Sequence, residues 1–460
     1  MKTRRIKLPN KYPKECFKMS ISHYTKEILD IIDLNLTFEE DCFQKEAING
    51  DICFVFYGQL SYRPQACFHC GEEETTCLMK WGFKEVTIQL NDVSEYKTLL
   101  KMKKQRFRCK TCGKTSIAET SVADRHCSIA RRVKLAIAEK LSQPLSMSMV
   151  ARLKHVSPTT VLRVLHSFKP KQLSPNTSLP EVLCFDEFQS VKRVSGAMSF
   201  IMMNGQSRQL LDIVANRQLP YLEAYFARYP REERAKVHYV VSDFYSPYAS
   251  LVKALFPNAQ LVIDRFHISQ HIGRAFQQQR KQVMNTFDRR QKEYRHLKKY
   301  WKLLQKKAWT LDYENRYWRP SFRDHLTEQD IVDRLLSYHS TLRQGYKIYQ
   351  SFLSVLHKQD KQRFDQLLKT DLSKLPDPFQ PVVKTFRKYR QEIHLALIVP
   401  YSNGSLEGLN NHIKVLKRVA YGFLSFENFR QRIFLYRGKY FQSGPLPIQT
   451  KTKKQLDDSA

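Results

Sequence analysis

The chain has 460 residues, with 77 Lys and Arg against 44 Asp and Glu, a formal net charge of +33 and a pI near 9.7. Hydrophobic residues at 42% with 12% aromatics are enough to build cores, which excludes wholesale disorder, and the length allows about three domains. No run approaches the ~20 apolar residues of a membrane span and the basic opening segment lacks the apolar stretch of a signal peptide, so we expect a soluble intracellular protein with no membrane partner.

Such an excess of Lys and Arg points to nucleic acid, because cations on one surface displace counterions from phosphates whatever the base sequence. Ten cysteines, four of them in two CxxC pairs, suit metal binding in a reducing compartment better than a disulfide framework.

Residues 1–60 mix a basic arm with short apolar runs, and only a strand near Ile52–Tyr57 is expected there. In 61–120, Cys67-Phe68-His69-Cys70 and Cys109-Lys110-Thr111-Cys112 lie 38 residues apart. Two thiolates at CxxC spacing let one tight turn grip a tetrahedral ion, so the four sulfurs predict a closed structural Zn²⁺ site. Strand-like runs between them give a zinc-ribbon-like module with an enlarged insert. His69 and Cys77 are weaker alternative ligands.

Residues 121–169 read as short helices. Ser157 followed by Pro158 has the pattern of an N-cap and first helical position, placing a second helix just after Met147–Leu153 across a tight turn. This is a helix-turn-helix arrangement that would present Thr159, Thr160 and Arg163 to a DNA major groove. Lys169–Pro180, with three prolines and two serines, marks a linker.

Beyond it, β-rich runs at 182–188, 198–204, 210–215, 237–243 and 260–264 alternate with helical stretches, the texture of an α/β sheet over 181–265. Three runs close on an aspartate: Asp186, Asp243 and Asp264. Charged ends of apolar strands gather carboxylates at one sheet edge, although a single strand-end Asp is more often a turn former or helix cap. From 266 to 395 strand signals vanish. Val283, Phe287, Tyr294, Leu297, Trp301, Leu304 and Ala308 suggest one long helix with a heptad-like seam. Residues 274–307 carry twelve Lys and Arg against two acids, a net of +10 that would track phosphates. Trp301, Trp309 and Trp318 are expected in the helix core.

A last helix in 396–440 repeats its apolar face at Leu406, Leu409, Ile413, Leu416 and Ala420, with Glu407, Asn411, Lys414 and Arg418 along another. A carboxylate followed by an amide and two cations suits a nucleic-acid active site. Clustered carboxylates of this kind serve where two Mg²⁺ or Mn²⁺ ions catalyse phosphodiester displacement. A polar tail, 441–460, ends the chain.

In this ordered set the sequence resembles the DDE transposases of bacterial insertion sequences, in particular the ISL-three family. The resemblance rests on the paired knuckles, the helix-turn-helix, Asp186-Glu187-Phe188, Val241-Ser242-Asp243-Phe244-Tyr245-Ser246-Pro247-Tyr248, Phe256-Pro257-Asn258-Ala259 running into Val262-Ile263-Asp264-Arg265-Phe266-His267, and the stretch from Ser402 through Glu407 to Lys414 and Gly422. It implies a ribonuclease-H-like catalytic domain, interrupted by an all-α insertion, with Asp186, Asp243 and Glu407 as the catalytic, metal-binding triad. Asp264, His267 and Asn411 would be second-tier active-site residues, and Lys414, Lys417 and Arg418 would bind DNA. The implied activity is cleavage at element terminal repeats and joining of the 3′ hydroxyls to target DNA, in the cytoplasm at the nucleoid, by a homodimer or larger assembly. The competing expectations are a DNA-binding regulator or a structure-selective nuclease derived from such an enzyme.

Overall fold

The computed structural model describes residues 20–168 and 178–437. Residues 1–19, most of the expected linker and the polar tail lie outside the described residues. The chain divides into two compact units, Met1–Lys169 with Gln431–Ala460, and Pro170–Arg430.

The first unit runs α1 (Ile21–Ile28), β1 (Leu36–Ile48), β2 (Asp51–Leu60), β3 (Leu78–Gln89), β4 (Thr98–Cys109), β5 (Thr115–Ile117), α2 (Arg131–Ser142), α3 (Met147–Leu153) and α4 (Pro158–Ser167). Its sheet has the order β1-β2-β4-β3, with β5 added to β4. The β1–β2 hairpin, assigned only one strand from the sequence, joins this sheet because β2 pairs parallel to β4 from Phe54↔Thr98 to Leu60↔Lys104. Helix α2 buries Val133, Ile137 and Leu141 on one stripe, and α4 buries Val161, Val164 and Leu165. Ser157 caps α4 by accepting from the Thr160 amide at 3.1 Å, and Ser146 caps α3 by accepting from Met149 at the same distance. His155 takes a left-handed φ of 49° in the turn between them.

Sheet and helices share one core. Leu36, Phe56, Leu100, Met102 and Phe107 of the strands cluster with Val133, Ile137, Val161 and Leu165 of the helices. The segments expected as a terminal arm, a zinc module and a helical domain are therefore built on a single apolar interior.

The second unit begins with β6 (Val182–Gln189), β7 (Met198–Asn204), β8 (Leu210–Val214), α5 (Leu219–Ala227), α6 (Arg231–Ala235), β9 (Tyr239–Ser242), α7 (Ser246–Leu255) and β10 (Gln260–Ile263). The sheet order is β10-β9-β6-β7-β8. β6, β7 and β8 pair antiparallel, whereas β9 and β10 run parallel to β6 and to each other. Val182 to Phe185 are all buried, as expected of a strand covered on both faces. Phe185 packs into an aromatic cluster with Phe200, Phe226, Tyr248 and Phe256, at centroid distances of 4.9–6.4 Å.

After β10 the chain makes α8 (Arg265–Met284), α9 (Lys292–Lys299), α10 (Trp301–Gln305), β11 (Tyr317–Arg319), β12 (Asp324–Leu326), α11 (Glu328–Ser337), α12 (Ser340–Lys358), α13 (Lys361–Leu368), α14 (Gln380–Lys388) and α15 (Arg390–Ile398). Three expectations change here. The long heptad-like helix is broken between Met284 and Lys292, where Asp288 accepts from the Arg290 amide at 2.8 Å and Gln291 from the Asp288 amide at 2.9 Å, local bonds that compete with helix. The insertion is not purely helical, since β11 and β12 form a short antiparallel hairpin. Trp309 and Trp318 are 45% and 53% exposed and do not belong to a helix core. One cation of the basic stretch also turns inward: Arg280 is buried and donates to the Leu297 carbonyl at 2.8 Å.

The chain finishes with α16 (Gly404–Val419) and α17 (Phe426–Arg437). In the second unit the Arg430 guanidinium pairs with buried Asp212. Arg432, in the first unit, is buried and donates to the carbonyls of Gln143 and Leu145 at 3.2 and 2.9 Å. Among the described residues no helix is long and apolar enough to cross a membrane.

Because strands and helices of the first unit share a core, Leu100→Ala should destabilise it by about 2–5 kcal/mol. Hydrogen exchange should then rise together in β4, α2 and α4; protection retained by the helices would mean two independent cores.

Candidate functional site

The two knuckles are built alike. Cys67 and Cys109 each accept on their carbonyl from a glycine four residues on, Gly71 and Gly113, at 3.0 Å, and both glycines take left-handed φ values of 73° and 69°. A Cβ is strained at such φ, so glycine after each CxxC is part of the turn. Cys67 and Cys112 sulfurs lie 3.7 Å apart, Cys70 and Cys109 sulfurs 3.8 Å, and all four fall within 4.8 Å of one another. The Cys70 and His69 amides hold Cys67 below the usual thiol range, and the Cys112 amide helps bring Cys109 down to about 6. The Glu72 amide favours the Cys70 thiolate too, but desolvation and the other sulfurs prevail and push it up to about 12. Four sulfurs crowding charge in this way suit a tetrahedral Zn²⁺. His69 instead meets the Thr115 carbonyl at 3.3 Å and Cys77 the Glu74 carboxylate at 3.7 Å, so neither belongs to the sulfur cluster.

At the other centre, alternation along β6 puts Phe185 in the aromatic core and turns Asp186 to the opposite face. Asp186 accepts from the Glu187 amide at 2.8 Å and from Asn410 Nδ2 of α16 at 2.8 Å. Burial, with the neighbouring charges of Glu187, Asp243 and Asp264, raises its carboxyl to about 7. Burial also raises Glu187, with Asp243 adding to it, although Arg217 pairs with Glu187 and Tyr248 donates to it at 3.0 Å. Asp243 follows β9 and accepts from the Tyr245 amide at 3.0 Å, an Asx turn. Asp264 is the N-cap of α8, and burial raises it against the opposing pull of His267. Asp243 and Asp264 follow their strands as expected and combine local turn or cap bonds with a shared pool of negative charge, whereas Asp186 stands inside β6, which pairs with β7 as far as Gln189, rather than at its end.

Glu407 sits in the first turn of α16, half-buried, one turn before Asn410 on the same side of the helix. Among the described residues only the four cysteines bring three or more ligand atoms within 4.8 Å, so Asp186, Asp243 and Glu407 are not at shared-ion distance. Their chemistry still fits Mg²⁺ or Mn²⁺: hard oxygen donors, of which Asp186 feels the charge of Asp243, and buried Asn403 Oδ1 and Asn410 Oδ1 that accept no hydrogen bond among the described residues.

The other expected site residues separate. Lys414 and Arg418 are exposed on α16, as are Thr159 and Arg163 on α4, while Thr160 is half-buried with its hydroxyl 3.0 Å from that of Ser157. Lys417 is not a free cation for DNA: its ammonium donates to the carbonyls of Gln189 and Ser190 at 2.9 and 3.0 Å. Asn411 is exposed, and its neighbour Asn410 is the one that reaches Asp186. The sequence reading also missed Arg217 and His271, whose ring lies 4.8 Å from that of Phe244 and whose pKa is lowered by burial. No spacing pattern ties these residues to the aspartates; Asn410 alone had a signal, standing three residues after Glu407.

Two expectations follow. Chelation, or Cys109→Ser, should release one Zn²⁺ per chain and cause loss of near-ultraviolet dichroism from the first unit, read by metal analysis and spectroscopy. Folded Asp186 keeps its proton to about pH 7 while the unfolded carboxyl releases it near 3.8. Without added divalent ion, stability should therefore fall as pH rises through that window. Asp186→Asn should recover on the order of 4 kcal/mol at pH 8 in denaturant titrations.

Two family models and one curated relative that match the chain are named transposases, and a second relative carries another name. A family model described as a transposase, of the DDE class of ISL3 elements, matches residues 183–433, and one described as the zinc-finger of transposase IS204/IS1001/IS1096/IS1165 matches 63–112. A transposase for insertion sequence element IS1001 from Bordetella parapertussis is 24% identical over 350 residues, 74% of this chain and 82% of that protein. A Lactococcus lactis protein named an ATP-dependent protease is 49% identical over 125 residues, 27% of this chain, and the chain spans only 40% of that relative's length. The Drosophila P element transposase strand transfer complex aligns over 67% of this chain and 91% of that one, at 12% identity and a TM-score of 0.37. Matched by the transposase model over more than half of its length, the chain belongs to the ISL3 family of DDE transposases.

Proposed function

We propose that this protein binds the terminal repeats of an insertion sequence, cleaves DNA phosphodiesters at the element ends and joins the freed 3′ hydroxyls to target DNA. The observation that carries the reading is the buried acidic pool around Asp186, to which Asn410 fastens the helix bearing Glu407. Asp186, Asp243 and Glu407 would hold two Mg²⁺ or Mn²⁺ ions in a ribonuclease-H-like catalytic domain, and two ions so held activate the attacking oxygen and stabilise the leaving one.

The chain's own residues supply the rest. Asp264 and His267 flank the acidic pool. Arg217 pairs with Glu187 and Tyr248 donates to it, which offsets its charge beside Asp186. Lys414 and Arg418, exposed beyond Glu407 on α16, would take the phosphates on either side of the scissile bond. Helices α3 and α4 act as the helix-turn-helix, with Thr159, Thr160 and Arg163 toward the major groove, and the zinc-bound knuckles brace the same unit. Two ends must be brought together for joining, so the working form is a dimer or larger assembly on DNA.

Duplexes carrying the element ends should be nicked only with Mg²⁺ or Mn²⁺. Glu407→Gln and Asp186→Asn should each slow nicking at least ~100-fold, corresponding to loss of ~3 kcal/mol of transition-state stabilisation, with end binding retained. Arg163→Ala should weaken specific binding by about 1–3 kcal/mol. End binding with equal, negligible nicking in wild type and mutants would favour a regulator, and nicking without joined strands a nuclease.

A further inference from the structure

The edge of β6 changes partner halfway along. Its odd-numbered carbonyls face β9: Glu181 accepts from the His238 and Tyr239 amides at 2.8 and 3.0 Å, and the parallel ladder runs from Val182 to Cys184. Past Cys184 no strand among the described residues lies on that side, which leaves the carbonyls of buried Phe185, half-buried Glu187 and exposed Gln189 without a ladder partner, at a cost of about 1–3 kcal/mol for the buried one.

Helix α16 meets them in order. Asn403 Nδ2 donates to the Phe185 carbonyl at 2.8 Å, Asn410 Nδ2 to the Glu187 carbonyl at 3.2 Å, and Lys417 Nζ to the Gln189 carbonyl at 2.9 Å. The donors recur every seven residues, two helical turns, and the acceptors every two, so one helix face follows one strand edge. The middle rung is different, because Asn410 Nδ2 also donates to Asp186 Oδ2 at 2.8 Å. Asn403 adds a backbone N–H to the Asp264 carboxylate. Glu407 lies between the first two rungs.

We propose that α16 replaces a strand along the free edge of β6, and that Asn410 is a positioning residue that fixes the Asp186 carboxylate against this helix and sets its spacing to Glu407. A slip of one helical turn or a rotation of the helix would break all three rungs together, so register is specified by donors as well as by the apolar face of Leu406, Leu409 and Ile413. The amide is suited to the task. It donates to a carboxylate and a carbonyl from one nitrogen and adds no charge to a basin already rich in it, whereas a lysine there would compete with a divalent ion.

The catalytic consequence rests on the transposase reading, but the geometric one does not, and Mn²⁺ binding separates them. Mn²⁺ affinity, measured calorimetrically on full-length protein, should fall roughly 10–100-fold in Asn410→Ala, the range for loss of a group orienting a metal-binding carboxylate. Nicking should fall with it while end-DNA affinity stays within about twofold. Leu416→Ala, a buried α16 residue that makes no rung, controls for simple loosening: its melting temperature should fall, with Mn²⁺ affinity within about twofold of wild type. Wild-type Mn²⁺ affinity in Asn410→Ala, or an equal loss in Leu416→Ala, overturns the proposal. Mn²⁺ binding that depends on Asp186 and Asn410, in a protein that nicks no DNA, sinks the transposase reading alone. A wild-type protein that binds no Mn²⁺ removes both.

Discussion

Carboxylates held together away from water are costly, because each disfavours ionisation of the next and no solvent screens them. Asp186 stands among Glu187, Asp243 and Asp264 under this constraint, and most of the surrounding structure can be understood as its management. Arg217 and Tyr248 restrain Glu187, the Tyr245 amide accommodates Asp243, and the start of α8 accommodates Asp264. Asp186 receives only two neutral donors and keeps its proton to about pH 7. The unfavourable charge therefore falls on Asp186.

That arrangement requires the chain to leave the sheet and return to it. Between Ile263 and Gly404 it builds a whole helical body, beginning at the Asp264 cap and closing with α15 beside β10 before α16 is laid on β6. A long excursion is thermodynamically tolerable because closure entropy grows only logarithmically with loop length. The excursion needs a firm landing, which the polar rungs between α16 and β6 supply. The exposed aromatics of its hairpin, Tyr317 and Trp318, give the insertion a surface unlike that of a simple spacer.

The first unit solves a different problem. Its knuckles have little apolar surface of their own, so their turns rely on sulfur ligation and left-handed glycines, while the strands leading to them are anchored in the core shared with α2, α3 and α4. Groups that would read DNA therefore stand on a scaffold whose rigidity comes from the sheet.

Much of this was legible in the chain itself. CxxC spacing fixes which sulfurs can share an ion, a serine before a proline fixes where α4 begins, and apolar runs ending in Asp243 and Asp264 place carboxylates at strand ends, whereas Asp186, read as a third strand end, lies inside β6 because β7 pairs on to Gln189; the signals that held are local and carried by a few adjacent residues. Three features were decided by tertiary structure. The parallel pairing of β2 with β4 drew residues 51–60 into the sheet, the termination of the β6–β9 ladder at Cys184 left carbonyls for α16 to satisfy, and those carbonyls took Lys417 away from phosphate and selected Asn410 over Asn411. Each depends on segments distant in sequence having met, from Phe54 and Thr98 in the first sheet to Gln189 and Lys417, 228 positions apart, in the second, so no run of adjacent residues carries the signal.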